Sequence, residues 1–341
     1  MIITYLSANK GFLKRILNYV SYMFSAILLC SLVKDVSVVV STSPQFFCGL
    51  AGYFVSRLKR IPWVLEIRDL WPESIIAVGA IKNRRIIDLL EAIESFMYRK
   101  ADRVVALTEA FKRHIMKRGI SAESITIIKN GADLSQFAPL PKENAFRKQE
   151  GLTGKFVASF VGTHGMAHGL GTVFKTAEIL KDRKDIIFLL VGDGAERENL
   201  VRMKEATGLK NVMMLGQQKK ERMPEIIAAS DACMVLLIKQ DLFKTVIPSK
   251  IFEAMAMERP IILGVEGESQ AIIEEGDCGL CIEPENAQAL ADAVVRLKDD
   301  AALAERLGKN GKRFVEKFYN RETLAAVYLE LLAGLLRERK N

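Results

Sequence analysis

The sequence predicts an α/β protein of two Rossmann-like domains facing across a cleft, and three observations carry that reading. Short β-branched runs alternate with helix-length stretches along most of the chain. The runs are apolar nearly throughout, as strands are when both faces of a parallel sheet are covered. The alternation lapses once, in the polar, proline-containing stretch 137–154 (FAPLPKENAFRKQEGLTG), where a domain junction belongs. The predicted division is a first domain over 1–150, a second over 151–320 and a terminal helix over 321–341.

Taken in order, the first element is an apolar helix. Ile16 to Val33 is 18 residues long without a charge, with Lys14 and Arg15 before it and Lys34 after it. That is the lower limit of spanning length, and Asn18, Ser21, Ser25 and Ser31 dilute it. The helix is therefore expected to be buried in the domain or to lie in a membrane interface rather than to cross a bilayer. Strands are expected at Val36 to Ser41, Trp63 to Ile67, Arg103 to Leu107 and Ser124 to Ile128, with helices at Gln45 to Leu58 and Arg84 to Lys100. An open parallel sheet usually begins with a strand and a glycine-rich turn, so the first domain is expected to lack its opening strand or strands.

The second domain repeats the pattern more regularly, with strands at Phe156 to Val161, Ile186 to Val191, Val212 to Leu215, Ala232 to Leu237, Pro260 to Leu263 and Gly279 to Ile282. After Asn286 the pattern is helical to the end. Leu324, Val327, Tyr328, Leu331, Leu332 and Leu335 recur at helical spacing, which suits a helix that packs back on the first domain.

Charge separates the two halves. The 341 residues carry a net charge of +8, but residues 1–150 account for +9 and residues 151–341 for −1. The first domain is thus expected to face something anionic. Nucleic acid is not supported: there is no zinc-finger spacing, no aromatic RNA-binding run and no dense Lys/Arg block. The 5 cysteines, an odd number, argue against a disulfide framework. Cys278 and Cys281 form a C-x-x-C without the second pair a zinc ribbon needs, so they read as small buried residues beside a turn.

The segment Ile247 to Ile262 (IPSKIFEAMAMERPII) carries the most chemistry. Pro248 suits a helix start, Ser249 and Lys250 place backbone N–H groups and a cation there, and Glu253 follows one turn on. A pyrophosphate and a ribose diol would fill such a site; a capped amphipathic helix with a solvated Glu253 is the alternative. Two glycine turns belong at the same sheet edge: Gly162, Thr163, His164 and Gly165 after one strand, and Gly192, Asp193 and Gly194 after the next. A nicotinamide fingerprint would need G-x-G-x-x-G, but Arg197 stands at its last position.

As a set, WVLEIRDLWPES (63–74), ADRVVALTEAFKRHI (101–115), IIKNGADLSQF (127–137), LLVGDGAERENL (189–200) and PSKIFEAMAMERPII (248–262) resemble the family-four retaining glycosyltransferases of the GT-B fold. The likeness is strongest to bacterial O-antigen and capsule transferases of the N-acetyl-L-fucosamine type, and it covers about Val36 to Leu332. It implies transfer of a sugar from a nucleotide donor, expected to be UDP-linked, with retention and with neither a metal nor another cofactor. On that resemblance Glu253 is the second glutamate of E-x7-E and holds the donor ribose. Gly162 lets acceptor and phosphate approach, and Gly216, Gln217 and Gln218 form the turn that recognises the base. Ser249 and Lys250, with Thr163, His164, Asp193 and Gly194, complete the expected donor site.

Two departures matter. The first glutamate of E-x7-E is replaced by Thr245, and the basic residues expected after the first strand of the second domain fall near Thr163 and His168. Charge compensation then passes to His168, Lys244 or Lys250. In the first domain, Arg68 and Asp69 follow a strand and are expected, with His168, to form the catalytic set; a buried structural ion pair is the alternative. The expected partners are a nucleotide-sugar, a polyprenyl-diphosphate-linked glycan and an anionic membrane surface, with the protein peripheral on the cytoplasmic face of the inner membrane. A catalytically impaired nucleotide-sugar-binding homologue and a GT-B UDP-sugar 2-epimerase are the competing readings.

Overall fold

The computed structural model describes residues 12–43 and 45–339, with side chains from Leu17 onward. The expectation about how the chain opens concerns residues 1–11, which lie outside the described residues. Two compact units are present, one running to Lys129 and resuming at Leu324, the other spanning Asn130–Thr323.

The first unit contains α1 (Phe12–Leu32), β1 (Val39–Thr42), α2 (Phe46–Lys59), β2 (Trp63–Ile67), α3 (Glu73–Ala77), α4 (Arg84–Lys100), β3 (Arg103–Ala106), α5 (Glu109–Lys117) and β4 (Ile125–Ile127). Its sheet is all parallel in the order β1-β2-β3-β4, with Val64 opposite Arg103 and Val104 opposite Ile125. Asn83 starts α4 by accepting from the backbone N–H groups of Arg85 and Ile86, and Thr108 starts α5 by accepting from that of Phe111. The first strand begins at Val39, later than its apolar run, because its pairing starts opposite Trp63. No helix among the described residues is long and apolar enough to cross a membrane.

The second unit contains α6 (Ala145–Gln149), β5 (Phe156–Val161), α7 (Gly171–Ile179), β6 (Ile186–Val191), α8 (Arg197–Thr207), β7 (Val212–Leu215), α9 (Met223–Ala228), β8 (Ala232–Leu236), α10 (Lys250–Ala256), β9 (Ile261–Gly264), α11 (Glu268–Glu275), β10 (Gly279–Cys281), α12 (Ala287–Asp299) and α13 (Ala301–Phe318). Its parallel strands run β10-β9-β8-β5-β6-β7. The order reverses between β5 and β8, so the crevice at their carboxyl ends is where a ligand is expected.

The final helix, α14 (Arg321–Glu338), sets Leu335, Leu331 and Tyr328 against Val64 and Val105 of the first unit's sheet and Ile128 just after β4. Residues 130–150, counted with the first domain on sequence, belong to the second unit. The reason is Arg147. It is 1% exposed, donates to the carbonyls of Ala229 at 2.8 Å and Lys155 at 3.0 Å, and pairs with Asp231. Asp231 also accepts from Val157 N at 2.8 Å, so this one arginine bolts α6 to the start of β5.

Candidate active site

Three turns at the carboxyl ends of β5, β6 and β7 are joined through their backbones. Gly162 N donates to Val191 O at 2.9 Å, His164 N to Asp193 O at 2.9 Å, Glu196 N to His164 O at 2.9 Å and Gly192 N to Leu215 O at 3.2 Å. The approach is close enough to require glycine. A Cβ at Gly192, where φ is +144°, would stand 1.9 Å from Gly162 O, and one at Gly194 would stand 2.5 Å from His164 O.

Against this platform lies Lys250, the first residue of α10. Its ammonium does not point out from the helix start as the sequence suggested. It is buried over the face of Phe160, 3.6 Å from the ring centroid, and 2.9 Å from where a Cβ at Gly162 would be. Nζ has no hydrogen-bond partner among the described residues. Burial pulls this amine down to about 7, opposed by the Glu253 carboxylate. Ser249 is exposed and makes no side-chain cap. Glu253, one turn further along α10, is half-buried. Burial raises its carboxyl, while Arg321, Lys250 and Lys220 oppose that rise.

His168 and His164 gather at Phe160, His168 edge-on at 5.2 Å and His164 tilted at 6.2 Å between centroids. His168 Nδ1 is 3.1 Å from Leu236 O. His164, expected at the cleft, is fully buried, and neither ring nitrogen has a hydrogen-bond partner among the described residues. Burial takes both imidazoles down to about 4; Arg197 and then Lys250 add to the fall at His164, and Lys250 adds to it at His168. Both rings are therefore neutral at pH 7. A cavity of about 20 Å³, room for a water, lies beneath, lined by Ser159, Val161, Cys233, Lys250 and Glu253 among others.

Thr163 and Gln217 are exposed. Asp193 is largely exposed and accepts from Gly194 N at 2.8 Å. Gln218 donates to Gly216 O at 3.3 Å and accepts from Arg222 at 3.1 Å, which fixes the shape of that turn. Lys244 is taken by Asp241 at 2.9 Å and Glu266 at 3.4 Å, so it is a poor candidate for charge compensation. Thr245 donates its hydroxyl to Leu242 O at 2.6 Å.

Two contributors escaped the sequence reading. Phe160 is the ring on which Lys250, His164 and His168 assemble. Arg197 reaches Gly216, with Nη2 3.8 Å from where a Cβ there would stand, and its Nη1 is buried without a hydrogen-bond partner among the described residues. Position 197 had served only to reject a dinucleotide fingerprint; a cation directly after a glycine turn was the available signal. The cysteines behave as expected of buried thiols, with burial raising Cys278 to about 12 and Cys281 to about 11. Asp300 caps α13 by accepting from Leu303 N at 2.8 Å.

In the first unit, Arg68 is exposed, whereas Asp69 is turned inward. Asp69 lines a cavity with Ser43, Trp71, Glu94 and Tyr98, and burial raises its carboxyl to about 6, against hydrogen bonds from Ser74 and Leu70. Ser43 Oγ accepts from the N–H groups of Arg68 at 3.1 Å and Asp69 at 3.4 Å, holding the turn after β2.

The family model for glycosyl transferases group 1 matches residues 142–314. This chain belongs to that family. A second model, the glycosyl transferase 4-like domain, matches residues 11–131. WcaI of Escherichia coli strain K12, a glycosyl transferase provisionally named for colanic acid biosynthesis, is 22% identical over 341 residues, covering 97% of this chain and 82% of WcaI. An Escherichia coli UDP-Gal:alpha-D-GlcNAc-diphosphoundecaprenol alpha-1,3-galactosyltransferase is 24% identical over 316 residues, covering 90% of this chain and 78% of that one. Among solved structures, Anabaena HepE in complex with UDP-glucose superposes with a TM-score of 0.75 at 18% identity, covering 96% of this chain and 84% of HepE. The glycosyltransferase thus has two parallel-sheet α/β domains of the GT-B type, and its group 1 segment holds Phe160, Gly162, Arg197, Lys250 and Glu253 together.

Proposed function

We propose that this glycosyltransferase moves a sugar, with retention and without a metal, from a UDP-sugar to a lipid-linked glycan acceptor in bacterial surface polysaccharide synthesis, acting peripherally at the cytoplasmic face of the inner membrane. The observation that carries the reading is the Lys250 ammonium beside the Gly162 turn, without a hydrogen-bond partner among the described residues, with Arg197 at the Gly216 turn and Glu253 one helical turn along α10. A departing diphosphate develops negative charge, and buried, preorganised cations and backbone N–H groups stabilise it where water is excluded. Glu253, one helical turn from Lys250, suits a ribose diol, and the Gly216 to Gln218 turn suits the base. The galactosyltransferase relative, whose name specifies a UDP-sugar and a diphosphoundecaprenol acceptor, supports the donor and acceptor classes.

On the acceptor side, the carboxylate of Asp69 would accept the proton of the attacking hydroxyl or orient it, and Arg68 would meet phosphate. His168, neutral and with its one N–H spent on Leu236 O, would accept from a hydroxyl of the donor sugar at its remaining ring nitrogen. Calorimetric titration of the purified chain with UDP, ADP and GDP, followed by a panel of UDP-sugars, tests this. Selective binding of UDP and slow hydrolysis of at least one UDP-sugar are expected; no affinity for any nucleoside diphosphate would sink the proposal. UDP binding with no turnover of any UDP-sugar on any lipid-linked acceptor would favour the impaired homologue, a reading that Thr245 in place of a carboxylate motivates.

A further inference from the structure

The described side chains of α1 carry no charge, and one face of that helix is uncovered. Leu17, Phe24, Leu28 and Leu32 are 58%, 64%, 66% and 70% exposed and fall along a single stripe. Helix α2 packs beside α1 and leaves Phe54 and Leu58 exposed one turn apart. The carboxyl ends of the two helices are tied together, because Lys59 Nζ donates to Val33 O. Around that tie Lys34, Arg57 and Arg60 are exposed. Arg57 donates to Lys100 O at 3.4 Å and Arg339 to Arg60 O at 3.0 Å, so the ends of α4 and α14 bring further cations to the same corner. Of the acidic groups nearby, Glu338 is already paired with Arg103 at 2.7 Å, and exposed Asp35 beside Lys34 leaves the corner with an excess of cations.

A leucine and phenylalanine stripe that ends in a basic corner matches a surface with acyl chains below and phosphates above. A second copy of the chain would cover the leucines but would set like charges together. We propose that α1 and the end of α2 are the docking face for an anionic bilayer, with Phe24, Leu28 and Leu32 seated among acyl chains and Lys34, Arg57, Lys59 and Arg60 at the lipid phosphates. The helix lies in the plane of the interface. The inference deepens the peripheral placement in the proposed function and rests on it only for the nature of the acceptor, since lipid binding is read without donor or acceptor.

The test is co-sedimentation of the full chain with vesicles of phosphatidylcholine alone and of phosphatidylcholine mixed with phosphatidylglycerol, at about 0.02 M and about 0.5 M salt. Binding to the anionic vesicles, weakened about tenfold or more at high salt, is expected. The double variant Phe24→Ser/Leu28→Ser should abolish pelleting, and Lys59→Glu/Arg60→Glu should weaken it on anionic vesicles only. Both should retain wild-type circular dichroism and UDP affinity. Failure to pellet with either vesicle, equal binding to neutral vesicles, or variants that pellet like the wild type would overturn the proposal. So would a concentration-dependent dimer that the Phe24→Ser/Leu28→Ser variant dissociates. Wild-type UDP affinity alongside any of these results separates this failure from failure of the proposed activity.

Discussion

The ammonium of Lys250 rests on the ring of Phe160, 3.6 Å from its centroid, with no hydrogen-bond acceptor among the described residues. A cation over an aromatic face gains about 0.5–2 kcal/mol, and a hydrogen bond between charged groups gains about 1.5–3 kcal/mol. A diphosphate at the Gly162 turn would therefore outcompete the ring. Lys250→Met should weaken UDP binding by about 10- to 100-fold, and Phe160→Leu by only a few-fold. Because burial sets this amine at about 7 and a diphosphate favours its charged form, binding takes up a proton. UDP affinity should fall as pH rises above 7, and that slope should vanish in Lys250→Met. Calorimetry in buffers of different ionisation enthalpy measures the proton directly.

The joined turns make a second prediction. Gly192→Ala meets a backbone oxygen at 1.9 Å with φ at +144°, whereas Gly208→Ala, also at positive φ, meets nothing within 4 Å. Gly208→Ala should cost about 1 kcal/mol from backbone strain alone. Gly192→Ala should cost upwards of about 3 kcal/mol, since backbone must shift. Urea unfolding compares the two, and equal midpoints would refute the assignment of a steric role.

Glu253 separates ribose recognition from phosphate recognition. Glu253→Gln should weaken UDP binding by roughly 10-fold or more, the loss of a charged hydrogen bond to a diol, while leaving the affinity for inorganic pyrophosphate within a few-fold of wild type. A parallel fall for both ligands would place Glu253 on the charge of Lys250 instead.

Asp69 is held at about 6 by burial. If its carboxylate is needed in the transition state, the rate on a lipid-linked acceptor should rise with pH through about 6 and then level off. Asp69→Asn should lower turnover by about 10²- to 10⁴-fold with UDP affinity unchanged. An Asn variant that lost UDP affinity and turnover together would assign Asp69 to folding of the turn held by Ser43.

The strands were legible because parallel-sheet strands are apolar on both faces. Trp63–Ile67, Phe156–Val161, Ile186–Val191 and Val212–Leu215 lie where the runs place them. The glycine turns were legible for a related reason, since close backbone approach leaves only glycine. What local pattern could not convey is where a long side chain goes after leaving the helix. Lys250 looked like a cation at an exposed helix start, yet its ammonium folds back onto Phe160, a strand residue indistinguishable in sequence from any other core ring. His164 looked like a loop residue because a turn surrounds it, but Glu196 and Asp193 from the next turn close over its backbone. Arg147 sits in a polar stretch that reads as a linker, and its partner Asp231 lies far along the chain.

The buried cluster behind the Asp69 turn predicts how stability varies with pH. Glu94 is 1% exposed; its Oε1 accepts from Tyr98 at 2.6 Å, and Arg118 and His114 approach at 3.4 Å and 3.9 Å. Burial and the neighbouring Glu73 raise this carboxyl to about 7. A carboxyl whose folded pKa lies above its unfolded value contributes stability that is complete below about 4.3 and is lost as pH rises through about 7. Glu73 is shifted the other way by His114 and Arg118, but its contribution is lost only as pH falls through the acid range, so it does not mask the effect near neutrality. Glu94→Gln keeps an acceptor for Tyr98 and removes the titration. It should melt near the wild-type temperature at pH 5 and about 2 °C or more above it at pH 8. A variant less stable at both pH values would show instead that Glu94 acts as a charged anchor for Arg118.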